Sequence, residues 1–217
     1  MLSQFDSLCE CLYGSGQYFP ASQGTPTKDR NIIATNKSQA NLALNVFTEN
    51  PQNLEKLRFV LENSNSVYSQ YLAASSLKQL FTTHWSKIPS QEKVGIKDYL
   101  LNFLVKKGVN SDQQVLKMVI ILLAKVVKMS WFDHPKLQSI IIDLVKLFFL
   151  SEKHLLIALQ CIDDLIVEMS YVTKVKNLNI SRRISLNFRD TALFQIFKQC
   201  LELTQRYTDQ LSTQLAF

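Results

Sequence analysis

Residues 90–129, SQEKVGIKDYLLNFLVKKGVNSDQQVLKMVIILLAKVVKM, decide the fold. In the first half, Ile96, Tyr99, Leu100, Phe103 and Leu104 stand at i, i+3, i+4, i+7 and i+8. That spacing puts all five on one side of a helix with 3.6 residues per turn. Gly108 ends this helix. Ser111, with Gln114 three residues later, has the form of a capping box and starts the next. There Val115, Val119, Leu122 and Val126 run beside Leu116, Ile120, Leu123 and Val127. The second helix is therefore apolar over a wide arc and has to be covered on both sides.

Working outward, the same punctuation recurs. Asn50-Pro51 is a helix start, with Asn as N-cap and Pro at the first helical position. After the turn Asn63–Ser66, a helix is expected over Val67–Thr83. Asp133-His134-Pro135 opens a helix carrying Leu137, Ile140, Ile141, Leu144, Val145 and Phe148. Ser151 caps one carrying Leu155, Leu159, Ile162, Leu165, Ile166 and Met169. Asn187 is read as the cap of a last helix running through Tyr207. Ahead of all these, Gln4–Tyr13 forms a short helix. Residues 14–33 (GSGQYFPASQGTPTKDRNII) read as a flexible loop.

Alternate helices start near residues 67, 111 and 151, and the interleaved set near 90 and 135. A helix pair every 40–47 residues is the HEAT or armadillo period. Such pairs cannot bury their apolar faces alone and must stack. The expected fold is all-α, a right-handed α-solenoid of about four HEAT-type helix pairs.

Composition agrees. The chain has 217 residues, 47% of them apolar, with 5 Gly and 5 Pro. Only two Gly and three Pro lie beyond residue 33, too few breakers for a turn-rich β sandwich or barrel. Net charge is +6, which suits an acidic partner but falls short of a nucleic-acid-binding composition. No secretory signal is visible. The most apolar run, Met118–Ala124, is far shorter than the span of about 20 residues that a bilayer needs. Cys9, Cys11, Cys161 and Cys200 are scattered and read as reduced thiols, two of them in the core, which points to cytosol or nucleus.

No catalytic signature stands out, and neither an enzyme nor a cofactor is expected. Phosphate-binding glycine loops are absent from the sequence. His84, His134 and His154 lie far apart with no H-E-x-x-H, and Cys9-x-Cys11 has the wrong spacing for zinc. Asp164 and Glu168, at i and i+4, read as a solvated acidic face. The segment between Met169 and Asp190 holds no acid. Its Lys174, Lys176, Arg182, Arg183 and Arg189 read either as a solvated inter-helix loop or as a docking strip for an acidic partner.

Several stretches resemble a known family. Residues 39–81 resemble the importin-β N-terminal domain, with Pro51 and Ala73-Ala74-x-x-Leu77 as the clearest marks. Tyr68–Ala74 (YSQYLAA), Lys128–Asp133 (KMSWFD) and Ser185–Phe194 (SLNFRDTALF) are similar to segments of the exportin-7 / Ran-binding protein 16 group of the importin-β (karyopherin) superfamily. The resemblance skips residues 14–36 and fades after about Arg206. It implies a non-enzymatic nuclear transport receptor built of HEAT repeats, a monomer shuttling between nucleus and cytoplasm. Its partners would be Ran in the GTP form, protein cargo and Phe-Gly nucleoporins. The organisation implied is a short helix and loop over 1–33, Ran-binding repeats over 34–108, and further repeats over 109–217. This chain would then be the N-terminal portion of a longer exportin. The inner helices Val67–Thr83, Ser111–Met129 and Ser151–Tyr171 would face Ran, with Ser69, Gln70, Lys78, Gln113, Lys117 and Lys125 as candidate contacts. Tyr71, Leu72, Leu77, Trp131, Phe132, Phe188 and Phe194 are assigned to packing. The alternatives are a generic HEAT scaffold without Ran dependence and a basic module that binds RNA.

Overall fold

The computed structural model describes residues 2–13, 38, 42–47, 50–171 and 178–215. Among these residues every regular element is helical, as the periodicity requires. The α-helices are α1 (Leu2–Tyr13), α2 (residues 42–47), α3 (Leu54–Asn63), α4 (Val67–His84), α5 (Ser90–Lys106) and α6 (Gln113–Met129). They continue with α7 (Pro135–Gln138), α8 (Ile140–Leu147), α9 (Glu152–Ser170), α10 (Leu178–Phe188) and α11 (Phe194–Leu215). The loop expected over 14–33 lies outside the described residues.

The chain forms two compact units. The first comprises the residues up to Lys87 together with Ser111–Leu122. In it α3 and α4 pack along each other after a three-residue turn, and α1 packs on α4. Leu57, Val60 and Leu61 from α3, and Ala73, Ala74, Leu77, Leu80 and Phe81 from α4, form the buried seam. The turn is fixed by polar bonds. Ser64 Oγ donates to Asp6 Oδ1 at 2.7 Å. Ser66, in extended conformation, accepts from Ser69 N and caps α4.

The second unit comprises Ile88–Asn110 and Leu123 onward. Here α8 packs on α9, α9 on α10, and α11 on α8. Its core includes Leu100, Phe103, Leu104, Val126, Val127, Trp131, Ile140, Ile141, Leu144, Ala158, Ile162, Leu165 and Met169. His134 caps α7 through Lys136 N with Pro135 behind it, and Ser151 caps α9 through His154 N. Both caps are the ones that the sequence signals. The start of α6 differs. Asp112 Oδ1 accepts from Gln114 N at 2.8 Å, so the cap is Asp112 and the helix opens at Gln113. A carboxylate is as good a cap as a hydroxyl and adds charge at the helix N-terminus.

Candidate partner-binding surface

Of the residues assigned to the inner helices, those on α4 fare differently from one another. Ser69 is completely buried. It shares a face with Ala73, Ser76, Leu77 and Leu80, all buried, so it is a core residue and not a contact. Gln70 is half-buried and donates from Nε2 to the Ser64 carbonyl at 2.7 Å, which ties it to the α3–α4 turn. Lys78 is half-buried. On the opening turns of α6, Gln113 and Lys117 are exposed and one turn apart. Lys78, Gln113 and Lys117 are therefore the members of the set within the first unit that keep polar groups at the surface.

Ser69 lies beside the thiol of Cys9 on α1. Burial pushes that thiol above its ordinary value of 9.0, and the Ser69 hydroxyl offsets this only in part. Asp6 and Glu10 push it in the same direction as burial. A raised thiol pKa means that the fold favours the protonated form. Its contribution is complete below the unfolded value and is lost as pH rises through the folded value. Cys9 is accordingly expected to stay unlabelled by a thiol reagent in the native protein at pH 7, while the half-buried Cys200 reacts. Mass-mapping of labelled peptides before and after unfolding checks this. Labelling of native Cys9 as fast as Cys200 would show that the α1–α4 seam opens freely. The side chain of Cys11 lies outside the described set.

In the second unit the candidate Lys125 is already engaged. Its Nζ lies 3.3 Å from Glu168 Oε2. Glu168 also meets Lys128 at 3.4 Å, so the supposedly solvated acidic face of α9 is an ion-paired one at Glu168. Lys128 is buried and goes further, donating to the carbonyls of Glu168 and Tyr171, each at 2.6 Å. These carbonyls belong to the C-terminal end of α9, where helix acceptors are left over and a cation is favoured. Two more buried lysines repeat the device. Lys93 bonds Asp133 at 2.6 Å, and Lys97 bonds Asp143 at 2.8 Å together with the Lys136 carbonyl at 3.1 Å. All three reach residues about one HEAT period further along the chain.

The basic stretch needs a larger correction. Lys174 and Lys176 lie outside the described residues. Arg182 and Arg183 are not in a loop: they sit on α10, which begins at Leu178 and runs through a π-helical turn, Arg189–Leu193, into α11. Asn187 does not cap a helix. It lies inside this one, and its Oδ1 accepts from Trp131 Nε1 at 2.7 Å. Ser181, Ile184 and Phe188 provide the buried side of α10.

Trp131, Phe188 and Leu77 pack as assigned, and Leu72 is half-buried. Tyr71 and Phe132 are 40% and 41% exposed, and Phe194 is 73% exposed, so these three are surface residues. Among the described residues no group of His, Cys, Asp and Glu could hold a metal ion, and no helix is long and apolar enough to cross a membrane.

Residues 40–106, spanning α2 to α5, match the importin-beta N-terminal domain family. Exportin-7-B of Xenopus laevis is 30% identical over 200 residues, which are 90% of this chain and 17% of that protein. Ran-binding protein 16 of Drosophila melanogaster is 32% identical over 168 residues, 74% of this chain and 15% of that protein. Exportin-1 of Schizosaccharomyces pombe is 24% identical over 184 residues, 80% of this chain and 17% of that protein. The chain thus spans about a sixth of the length of these relatives. With all-helical units, a matching N-terminal domain over residues 40–106 and similarity over 90% of its length to exportin-7-B, the chain belongs to the importin-β superfamily, where it is similar to exportin-7 and Ran-binding protein 16.

Proposed function

We propose that this chain is the N-terminal portion of a nuclear transport receptor that binds Ran in its GTP form and takes part in protein export. It acts by binding alone, with no catalytic step and no cofactor. Protein cargo and Phe-Gly nucleoporins are its further partners, and it shuttles between nucleus and cytoplasm as a monomer. The observation that carries this reading is the similarity to exportin-7 over 90% of the chain, joined to the domain match over residues 40–106. Three relatives are named for Ran binding, which favours Ran over an unrelated partner. Lys78, Gln113 and Lys117 are the residues proposed to meet it, with Gln70 and Lys125 held by bonds within the chain.

The test is a pull-down with Ran loaded with a non-hydrolysable GTP analogue against Ran loaded with GDP. The GTP form is expected to be retained and the GDP form lost. Equal retention of both would indicate a nucleotide-independent scaffold, and retention of neither would remove Ran as the partner. Reversing Lys78 and Lys117 to Glu is expected to weaken binding by about tenfold at low salt, mainly through slower association. The two proteins should converge near 1 M salt, where the Debye length is about 3 Å. A loss that persists at high salt would mean that these lysines act through something other than exposed charge.

A further inference from the structure

Helix α10 carries a basic surface with no acid on it. Its buried side is set by Ser181, Ile184 and Phe188. The other side presents Asn179, Arg182, Arg183 and Leu186, all exposed and spaced i, i+3, i+4 and i+7. Several other cations in the same unit are matched: Lys93 to Asp133, Lys97 to Asp143, Lys125 and Lys128 to Glu168, and Arg189 to Asp190. Arg182 and Arg183 have no carboxylate within ion-pair reach among the described residues.

Arg183 is nevertheless held in place. Its guanidinium carbon lies 4.8 Å from the centroid of the Phe132 ring. Stacking orients the guanidinium plane and leaves its N–H edge free for bidentate bonding to a carboxylate. Phe132 and Leu186 are 41% and 51% exposed, so apolar surface lies beside the two forks.

We infer that the exposed face of α10, with Phe132, is a docking surface for an acidic protein segment. Carboxylates pair with Arg182 and Arg183, and an interspersed apolar side chain rests on Leu186, beside the Phe132 ring that Arg183 covers. Charge complementarity carries this assignment. A single-stranded nucleic acid fits less well, because stacking needs open aromatic faces and the guanidinium already lies against Phe132. The inference does not depend on the Ran reading, which rests on α4 and the start of α6.

The experiment titrates the full chain into a fluorescein-labelled decapeptide, EEEEFFEEEE, at low salt, followed by anisotropy. Saturable binding is expected. Arg182→Glu with Arg183→Glu should weaken it by about tenfold or more, since two charge-assisted contacts become repulsive. Lys106→Glu with Lys153→Glu makes the same charge change at exposed positions elsewhere in the unit and should leave affinity within about twofold. Arg183→Lys keeps the charge and loses the fork, and should cost a few-fold at unchanged net charge. Equal weakening by the control pair would overturn the proposal in favour of non-specific attraction. So would absence of binding. A twelve-nucleotide single-stranded RNA that binds more tightly than the peptide, and is lost in the same arginine variants, would overturn it in favour of a nucleic-acid surface.

Discussion

Trp131→Ala is expected to lower stability by about 3–5 kcal/mol, the range for truncating a fully buried large aromatic. The indole is 1% exposed. It meets Phe188 edge-to-face, with ring centroids 5.6 Å apart and planes at 73°, an arrangement aromatic pairs favour beyond their area alone. Its Nε1 donates to Asn187 Oδ1 at 2.7 Å, while its own carbonyl accepts from Gln138 Nε2 at 2.9 Å. One residue therefore joins the end of α6, the end of α7 and the C-terminal turn of α10. Truncation removes the ring, leaves a cavity, and strands the Asn187 oxygen. Urea unfolding checks the magnitude, and partner binding should fall only as far as the folded fraction falls. Lost Ran binding at an unchanged melting temperature would identify Trp131 as a contact residue instead.

That contact also explains why some of the fold was legible in the sequence and some was not. The helices α3 to α6 and α9 announce themselves through their apolar spacing and a local start signal, whereas the single helix expected from Pro135 to Phe148 is parted at Ser139 into α7 and α8, with no side-chain cap there to signal the break. His134-Pro135 and Ser151 act within three residues of themselves, and local chemistry can be read locally. Helix α10 hides because one of its core positions is Ser181, while Leu178, Ile180 and Leu186 sit outside. A stripe with a serine inside it and leucines beside it has no clear period. Asn187 misleads for a related reason. Asparagine is a favoured N-cap, but here its acceptor is spent on an indole 56 residues away.

The candidate surface was less legible still. Choosing polar residues between core positions of α4 admits Ser69, since a small hydroxyl side chain fits a tightly packed seam as readily as an exposed face. The buried lysines could have been flagged. Lys93 and Lys97 stand at i and i+4 of a run continued by Leu100 and Leu104, so they fall on the apolar stripe itself. A lysine on the core side of a helix has to find a carboxylate or a row of carbonyls. What the sequence could not supply was the partner, because Asp133 and Asp143 lie 40 and 46 residues further on.

Lys128 shows the energetic consequence of such pairing. Lys128→Met is expected to cost about 3–5 kcal/mol, the range for breaking a buried ionic contact by removing one partner. Methionine fills nearly the same volume, so packing is largely kept and the loss is polar. Two carbonyls at the end of α9, those of Glu168 and Tyr171, lose the donor they share, and the Glu168 carboxylate loses one of its two cations. Carbonyls at a helix end that lose a charged donor are left to water or to nothing, and the last turn of α9 should fray. Lys125→Met provides the contrast. Its ammonium meets the same carboxylate from a site whose side chain is 32% exposed, and its removal should cost under about 1 kcal/mol. Chemical denaturation of the two variants, with amide exchange across residues 165–171, separates the two roles. Equal and small losses would mean that water replaces the Lys128 ammonium at the end of α9. A large loss confined to Lys128, with faster exchange in that last turn, is the result that the geometry requires.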